Sequence, residues 1–144
     1  MVFFLLFLFN EQVIVKYERE LLFGRWFREE IVEPNKKIIE YAQLSADGSF
    51  EFTFVTLQVK ISEADQIVEQ VTELGDWGLV GDIHFTITKD EVVDEQIFAA
   101  DLNDSNNYHA YRVLQLNHHI FQYQHVNTNE IFIMRKITDN VGHC

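Results

Sequence analysis

The stretch Ala46-Asp47-Gly48-Ser49-Phe50-Glu51-Phe52-Thr53-Phe54-Val55-Thr56-Leu57 decides the fold class. Ala-Asp-Gly is a turn signal, because Asp and Gly accept backbone conformations that other residues resist. After the turn, Phe50, Phe52 and Phe54 fall on one face of an extended chain, and Glu51 and Thr53 fall on the other. A period of two marks a half-buried strand. Ile38 to Leu44, just before the turn, reads as the antiparallel partner, so the two segments form a hairpin.

The same alternation recurs in both directions. Ile67–Leu79 and Asp82–Thr88 form a second hairpin through Val80-Gly81, with Ile83, Phe85 and Ile87 on one face and His84, Thr86 and Thr88 on the other. Tyr108–Leu116, Ile120–Val126 and Ile131–Ile137 follow, separated by Asn117-His118-His119 and Asn127-Thr128-Asn129. Upstream, Gly24–Val32 supplies the first strand. Val13–Phe23 places apolar residues at Val13, Tyr17, Leu21 and Leu22 with charges between them, and reads as a short helix leading in. Consecutive strands joined by short turns make an antiparallel meander, and about eight is the number at which a meander closes into a barrel without exposed edges. Lys89–Asn107 is the one long interruption, and it ends in a polar loop. The expected organisation is an apolar arm and short helix over 1–23, an all-β, up-and-down antiparallel barrel over 24–137, and a tail over 138–144.

A chain of 144 residues is the size of one domain. Its net charge of -12, with no basic stripe, repels phosphate backbones and anionic lipid surfaces. No nucleic-acid partner is expected. Cys144 is the only cysteine, so no internal disulfide forms; a reducing, cytoplasmic setting is the favoured expectation. Val2–Phe9 is a continuous apolar run of about half the length that spans a bilayer. It resembles the hydrophobic part of an export signal, but no basic residue precedes it and no Ala-x-Ala-like site follows. A buried or pairing arm is therefore favoured, and export to the periplasm is the alternative.

Gly24-Arg25-Trp26 heads the first strand. That tripeptide, in that place, resembles the Gly-x-Trp signature of lipocalins. Gly75-Asp76-Trp77-Gly78-Leu79-Val80-Gly81-Asp82-Ile83 resembles the central hairpin of small bacterial lipocalin-like domains. Phe121-Gln122-Tyr123, then Asn129-Glu130-Ile131-Phe132 and Arg135-Lys136-Ile137, resemble their last two strands. The resemblance runs from Gly24 to Ile137. It implies that Trp26 plugs the closed end of the barrel and that Arg135 or Lys136 lies across its ring in a cation–π contact. The chain departs from the family in having no internal disulfide.

Several residues are candidates for chemistry. If Trp26 points inward, strict alternation sends Arg28 and Glu30 inward as well. Buried charge is costly unless paired, so a rim bulge that turns both out to solvent is the favoured reading. Phe50, Phe52, Phe54, Phe85, Phe121 and Tyr123 either line a cavity or fill the barrel. A cavity is expected, because fully packed cores use more aliphatic residues. Of six histidines only His125 is placed on an inner face, beside Tyr123 and Tyr41, and a satisfied core histidine is its favoured reading. No histidine pair has zinc-site spacing, and the Asp101–Asn107 loop lacks the glycine and distal glutamate of a calcium loop, so neither metal nor cofactor is expected.

The leading expectation is a non-enzymatic binding protein for a small apolar or aromatic molecule. Phe52, Phe54, Phe85, Phe121 and Tyr123 would supply contact area, and Arg28, Tyr41 or His125 would fix a polar group. Two alternatives stay open. One is a lipocalin-fold enzyme, as the phenolic acid decarboxylases are, with Arg28, Glu30, Tyr41 and Tyr123 as its acid–base set. The other is an assembly protein that forms a homodimer through Val2–Phe9.

Overall fold

The computed structural model describes residues 16–61 and 63–138. The chain forms β1 (Gly24–Glu33), β2 (Lys36–Leu44), β3 (Ser49–Gln58), β4 (Gln66–Val80), β5 (Ile83–Val93), β6 (Gln96–Ala99), β7 (Tyr108–Leu116), β8 (Ile120–His125) and β9 (Ile131–Lys136). Each barrel strand pairs antiparallel with its neighbours, and β9 returns to pair with β1. Eight strands close the barrel, and β6 lies outside it, paired only with the far end of β5.

Two expectations are corrected here. No α-helix leads into β1 among the described residues. The chain makes a single 3-10 turn at Arg19–Leu22, and Val13 to Val15 lie outside the described residues. Lys89–Asn107 is not one long loop. Its first part extends β5 to Val93, and Asp94-Glu95 turns the chain into β6. Both turn residues take left-handed backbone, with φ of 51° and 66°. Two-residue hairpin turns need that conformation, usually from Asn or Gly. The Val2–Phe9 arm falls outside the described residues.

One end of the barrel is sealed. Leu22, Trp26, Leu44, Phe50, Trp77, Leu116, Phe121 and Met134 pack there with almost no exposure. Fully burying each such side chain is worth about 1.5–3 kcal/mol. Trp26 Nε1–H donates to the Leu22 carbonyl at 2.9 Å, so the 3-10 turn caps the plug and satisfies its one donor. Lys136 Nζ sits 4.6 Å from the centre of the Trp26 ring and donates to the Phe23 carbonyl. Lys136 therefore takes the place across the ring. Arg135 is its exposed neighbour, facing outward opposite Phe27. Gly24 allows this approach: its φ is +114°, and a Cβ there would stand 2.8 Å from Lys136 Nζ.

The other end carries the β1–β2, β3–β4, β5–β6 and β8–β9 connections and is open. The β1–β9 seam is paired only at its sealed end, through Trp26–Lys136 and Phe27–Arg135.

Candidate functional site

Inside the open half lies a cavity of about 180 Å³. Alternation on each strand decides what lines it. Strand β1 sends in Trp26 and then Arg28, because its register runs unbroken to Ile31 and shifts only between Ile31 and Glu33. The expected bulge lies too far along to turn Arg28 out. The Arg28 side chain is only 15% exposed, whereas Glu30, two residues nearer the open end, is 45% exposed at the rim. Strand β2 contributes Glu40 and Ala42, β3 contributes Phe52 and Phe54, and β8 contributes Phe121 and Tyr123.

Strand β5 turns the opposite way from the apolar-inward expectation. His84, Thr86 and Thr88 are buried and face the cavity; Phe85 lies on the outer face. The hairpin register explains this. Trp77 must be inside, and it stands opposite Thr86, while Phe85 stands opposite Gly78. The Phe85 ring covers that glycine so closely that a Cβ on Gly78 would lie 2.2 Å from it. Tyr41 is also outside. It sits between Phe27 and Thr53 in register and is 44% exposed.

His125 lies at the mouth, with both ring nitrogens engaged. Nδ1 accepts from the Asn127 and Thr128 backbone N–H groups at 3.1 and 3.3 Å. Those donors require Nε2 to carry the proton, and it faces His109 Nδ1 at 3.2 Å. His125 thus fastens the β8–β9 turn and does not line the cavity. His109, beside it, does. Burial and His125 hold the His109 ring below the usual histidine range.

The polar groups of the cavity fall into two zones. Toward the mouth, Arg28 Nε donates to Glu40 Oε1 at 2.7 Å and its Nη1 donates to Glu30 Oε2 at 3.0 Å. Its guanidinium also lies 4.9 Å from the centre of the Phe132 ring. Burial opposes the Arg28 charge, but Glu40 and Glu30 outweigh it and hold the pKa above the ordinary value. Burial raises Glu40, and Arg28 only partly offsets that. Glu73 is likewise raised by burial. It accepts from Thr88 Oγ1 at 3.3 Å and has no basic partner among the described residues. Tyr111 and Tyr123 are pushed up by burial and by Glu40, so both phenols stay protonated.

At the floor, His84 is enclosed by rings. The centres of Trp77, Tyr111, Phe121 and Tyr123 lie 6.0, 5.8, 5.4 and 6.4 Å from its own. Burial drives its pKa down to about 4, so the ring is neutral near pH 7. A hydrogen bond to the Gly78 backbone opposes that shift only in part. His84 Nδ1 is buried and has no hydrogen-bond partner among the described residues.

Of the residues singled out in the sequence, Arg28, Phe52, Phe54, Phe121 and Tyr123 share the cavity; Tyr41, Phe85 and His125 do not. Glu40, Glu73, His84 and Tyr111 were not anticipated there. The signal for His84 was its place two residues from Thr86, across the hairpin from the Trp77 face. The described residues contain no group of three or more His, Cys, Asp or Glu able to hold a metal ion. No helix among them is long and apolar enough to cross a membrane.

No protein-family model matches the chain, and no curated protein matches it. Among solved structures, a lipocalin-like protein from Bacteroides uniformis is similar, with 17% sequence identity over 81% of this chain and 99% of that chain and a TM-score of 0.46.

Proposed function

We propose that the barrel is a non-enzymatic binding protein for one small, largely apolar, ring-bearing molecule. The cavity itself carries this reading. Native interiors pack densely and leave few voids larger than a water molecule, whereas this one measures about 180 Å³. A dry apolar cavity of about 150 Å³ accepts benzene, so the size suits one substituted ring. Phe52, Phe54, Phe121, Tyr123 and Phe132 offer it contact surface, and a few fixed polar groups would orient it.

The acid–base alternative has less support. It needs Arg28, Glu30, Tyr41 and Tyr123 around one void, and Tyr41 lies on the outside of the barrel. Arg28 is also held between two carboxylates.

Toluene titrated into the full chain, followed by tryptophan fluorescence and native mass spectrometry, tests the binding reading. Saturation at one molecule per chain is expected. Ala42→Leu, which pushes a larger side chain into the void, is expected to abolish it while the protein still melts cooperatively. Absence of saturable binding, or binding indifferent to Ala42→Leu, refutes the reading.

A further inference from the structure

The polar groups of the cavity are unequal in kind. Two carboxylates, from Glu40 and Glu73, line it with one guanidinium, and that guanidinium is already bonded to Glu40 and, at the rim, to Glu30. Glu73 has only the Thr88 hydroxyl as a hydrogen-bonding side chain among the described residues. The phenols and phenyl rings that line the same cavity are of the kind that attract a cation. An incoming anion meets negative charge that nothing neutralises. An incoming cation meets a carboxylate with no basic partner among the described residues, in a cavity lined by rings.

A second and separate feature lies at the floor. His84 lines the cavity, and its Nδ1 is fully enclosed with no hydrogen-bond partner among the described residues. Leaving such a group unmade costs a native protein about 1–3 kcal/mol. A neutral imidazole carries one N–H and one lone pair, and as the lone-pair nitrogen Nδ1 calls for a donor. His84 and Thr88 are four residues apart on one strand, about 13 Å between Cα atoms. The floor acceptor and the Glu73 carboxylate therefore address opposite ends of an occupant.

We propose that the ligand is a small amine with two poles: an ammonium group held by Glu73 toward the mouth, and a hydroxyl or ring N–H at the far end of an apolar body, donating to His84 Nδ1. This rests on the binding reading above and sharpens it. It excludes carboxylates and ligands that carry acceptors only.

Four probes of nearly equal shape separate the terms when titrated by calorimetry into the full chain at pH 7. Tyramine carries both poles. Phenethylamine lacks the hydroxyl, tyrosol replaces the ammonium with an alcohol, and 4-hydroxyphenylacetate replaces it with an anion. Tyramine is expected to bind tightest. Phenethylamine and tyrosol should each be about tenfold weaker, since one lost interaction of this kind is worth about that ratio. 4-Hydroxyphenylacetate should bind weakest of all. Glu73→Gln is expected to collapse the preference for tyramine over tyrosol, and His84→Phe the preference for tyramine over phenethylamine. Should either variant fail to fold, the ranking by the unaltered chain decides. If tyrosol or 4-hydroxyphenylacetate matches tyramine, or if toluene binds and none of the four does, the amine assignment is overturned and the binding reading stands. If neither toluene nor any of the four binds, the binding reading falls and takes the assignment with it.

Discussion

Between Arg28 Nε and Glu40 Oε1 runs a 2.7 Å hydrogen bond in a place that water reaches poorly; the two side chains are 15% and 9% exposed. Pairs of this kind contribute little net stability, because desolvating two charges offsets their attraction. Breaking one is another matter. Arg28→Met leaves the Glu40 carboxylate buried and uncompensated, and is expected to cost about 3–5 kcal/mol. Replacing both partners, Arg28→Met with Glu40→Leu, removes the stranded charge and should restore most of that loss. Urea denaturation of the two single variants and the double variant measures the coupling. A single Arg28→Met within about 0.5 kcal/mol of the parent, the range typical of surface positions, means that the pair is solvated after all.

At the scale of strands, the barrel is unevenly sewn. Strands β2 and β3 share nine consecutive register pairs, from Lys36–Gln58 to Leu44–Phe50, without a break. Strands β1 and β9 share two. Local opening follows such differences, because unpaired backbone exchanges with water before paired backbone does. Amides of β1 beyond Phe27 that point toward β9, away from the β2 ladder, are expected to exchange at least about tenfold faster than those in the middle of β3. Native-state hydrogen exchange followed by mass spectrometry reads this directly, and equal protection in the two strands refutes it. The same strands show what the sequence made legible. Alternation located the barrel strands to within two residues, except that β5 runs five residues past Thr88, because each has one face that must be buried. It chose the wrong face of β5, because Ile83, Phe85 and Ile87 look more core-like than His84, Thr86 and Thr88. Counting back from the turn to Trp77 and Gly78 settles the face correctly, since a residue and its cross-strand partner share one side of the sheet. Strand β6 escaped notice because its turn, Asp94-Glu95, takes left-handed backbone without glycine or asparagine. Nothing in the sequence sets Glu40 and Glu73 apart from surface charges, and only the closed barrel shows them turned inward.

For the molecule as a whole, acid sets these buried groups against one another. Glu40 and Glu73 have raised pKa values in the folded state, so each takes up its proton earlier when folded and favours the fold as pH falls. Protonation also relieves the repulsion of a chain with net charge -12. His84 acts in the other direction. Its folded pKa is about 4 against an ordinary 6.5, so between those values the unfolded chain binds the proton and the folded chain does not. Stability from this residue is complete above about pH 6.5 and drains away as pH falls toward 4. Between pH 7 and pH 5 the loss attributable to His84 is about 2 kcal/mol. His84→Phe removes that titration and leaves the carboxylates in place. The parent is therefore expected to lose about 2 kcal/mol more than His84→Phe over that interval, whatever their difference at pH 7. Urea denaturation of both proteins at the two pH values gives the comparison. Equal losses mean that the His84 ring titrates as an ordinary histidine, reached by water through the open end, and that its Nδ1 is hydrated rather than waiting for a donor.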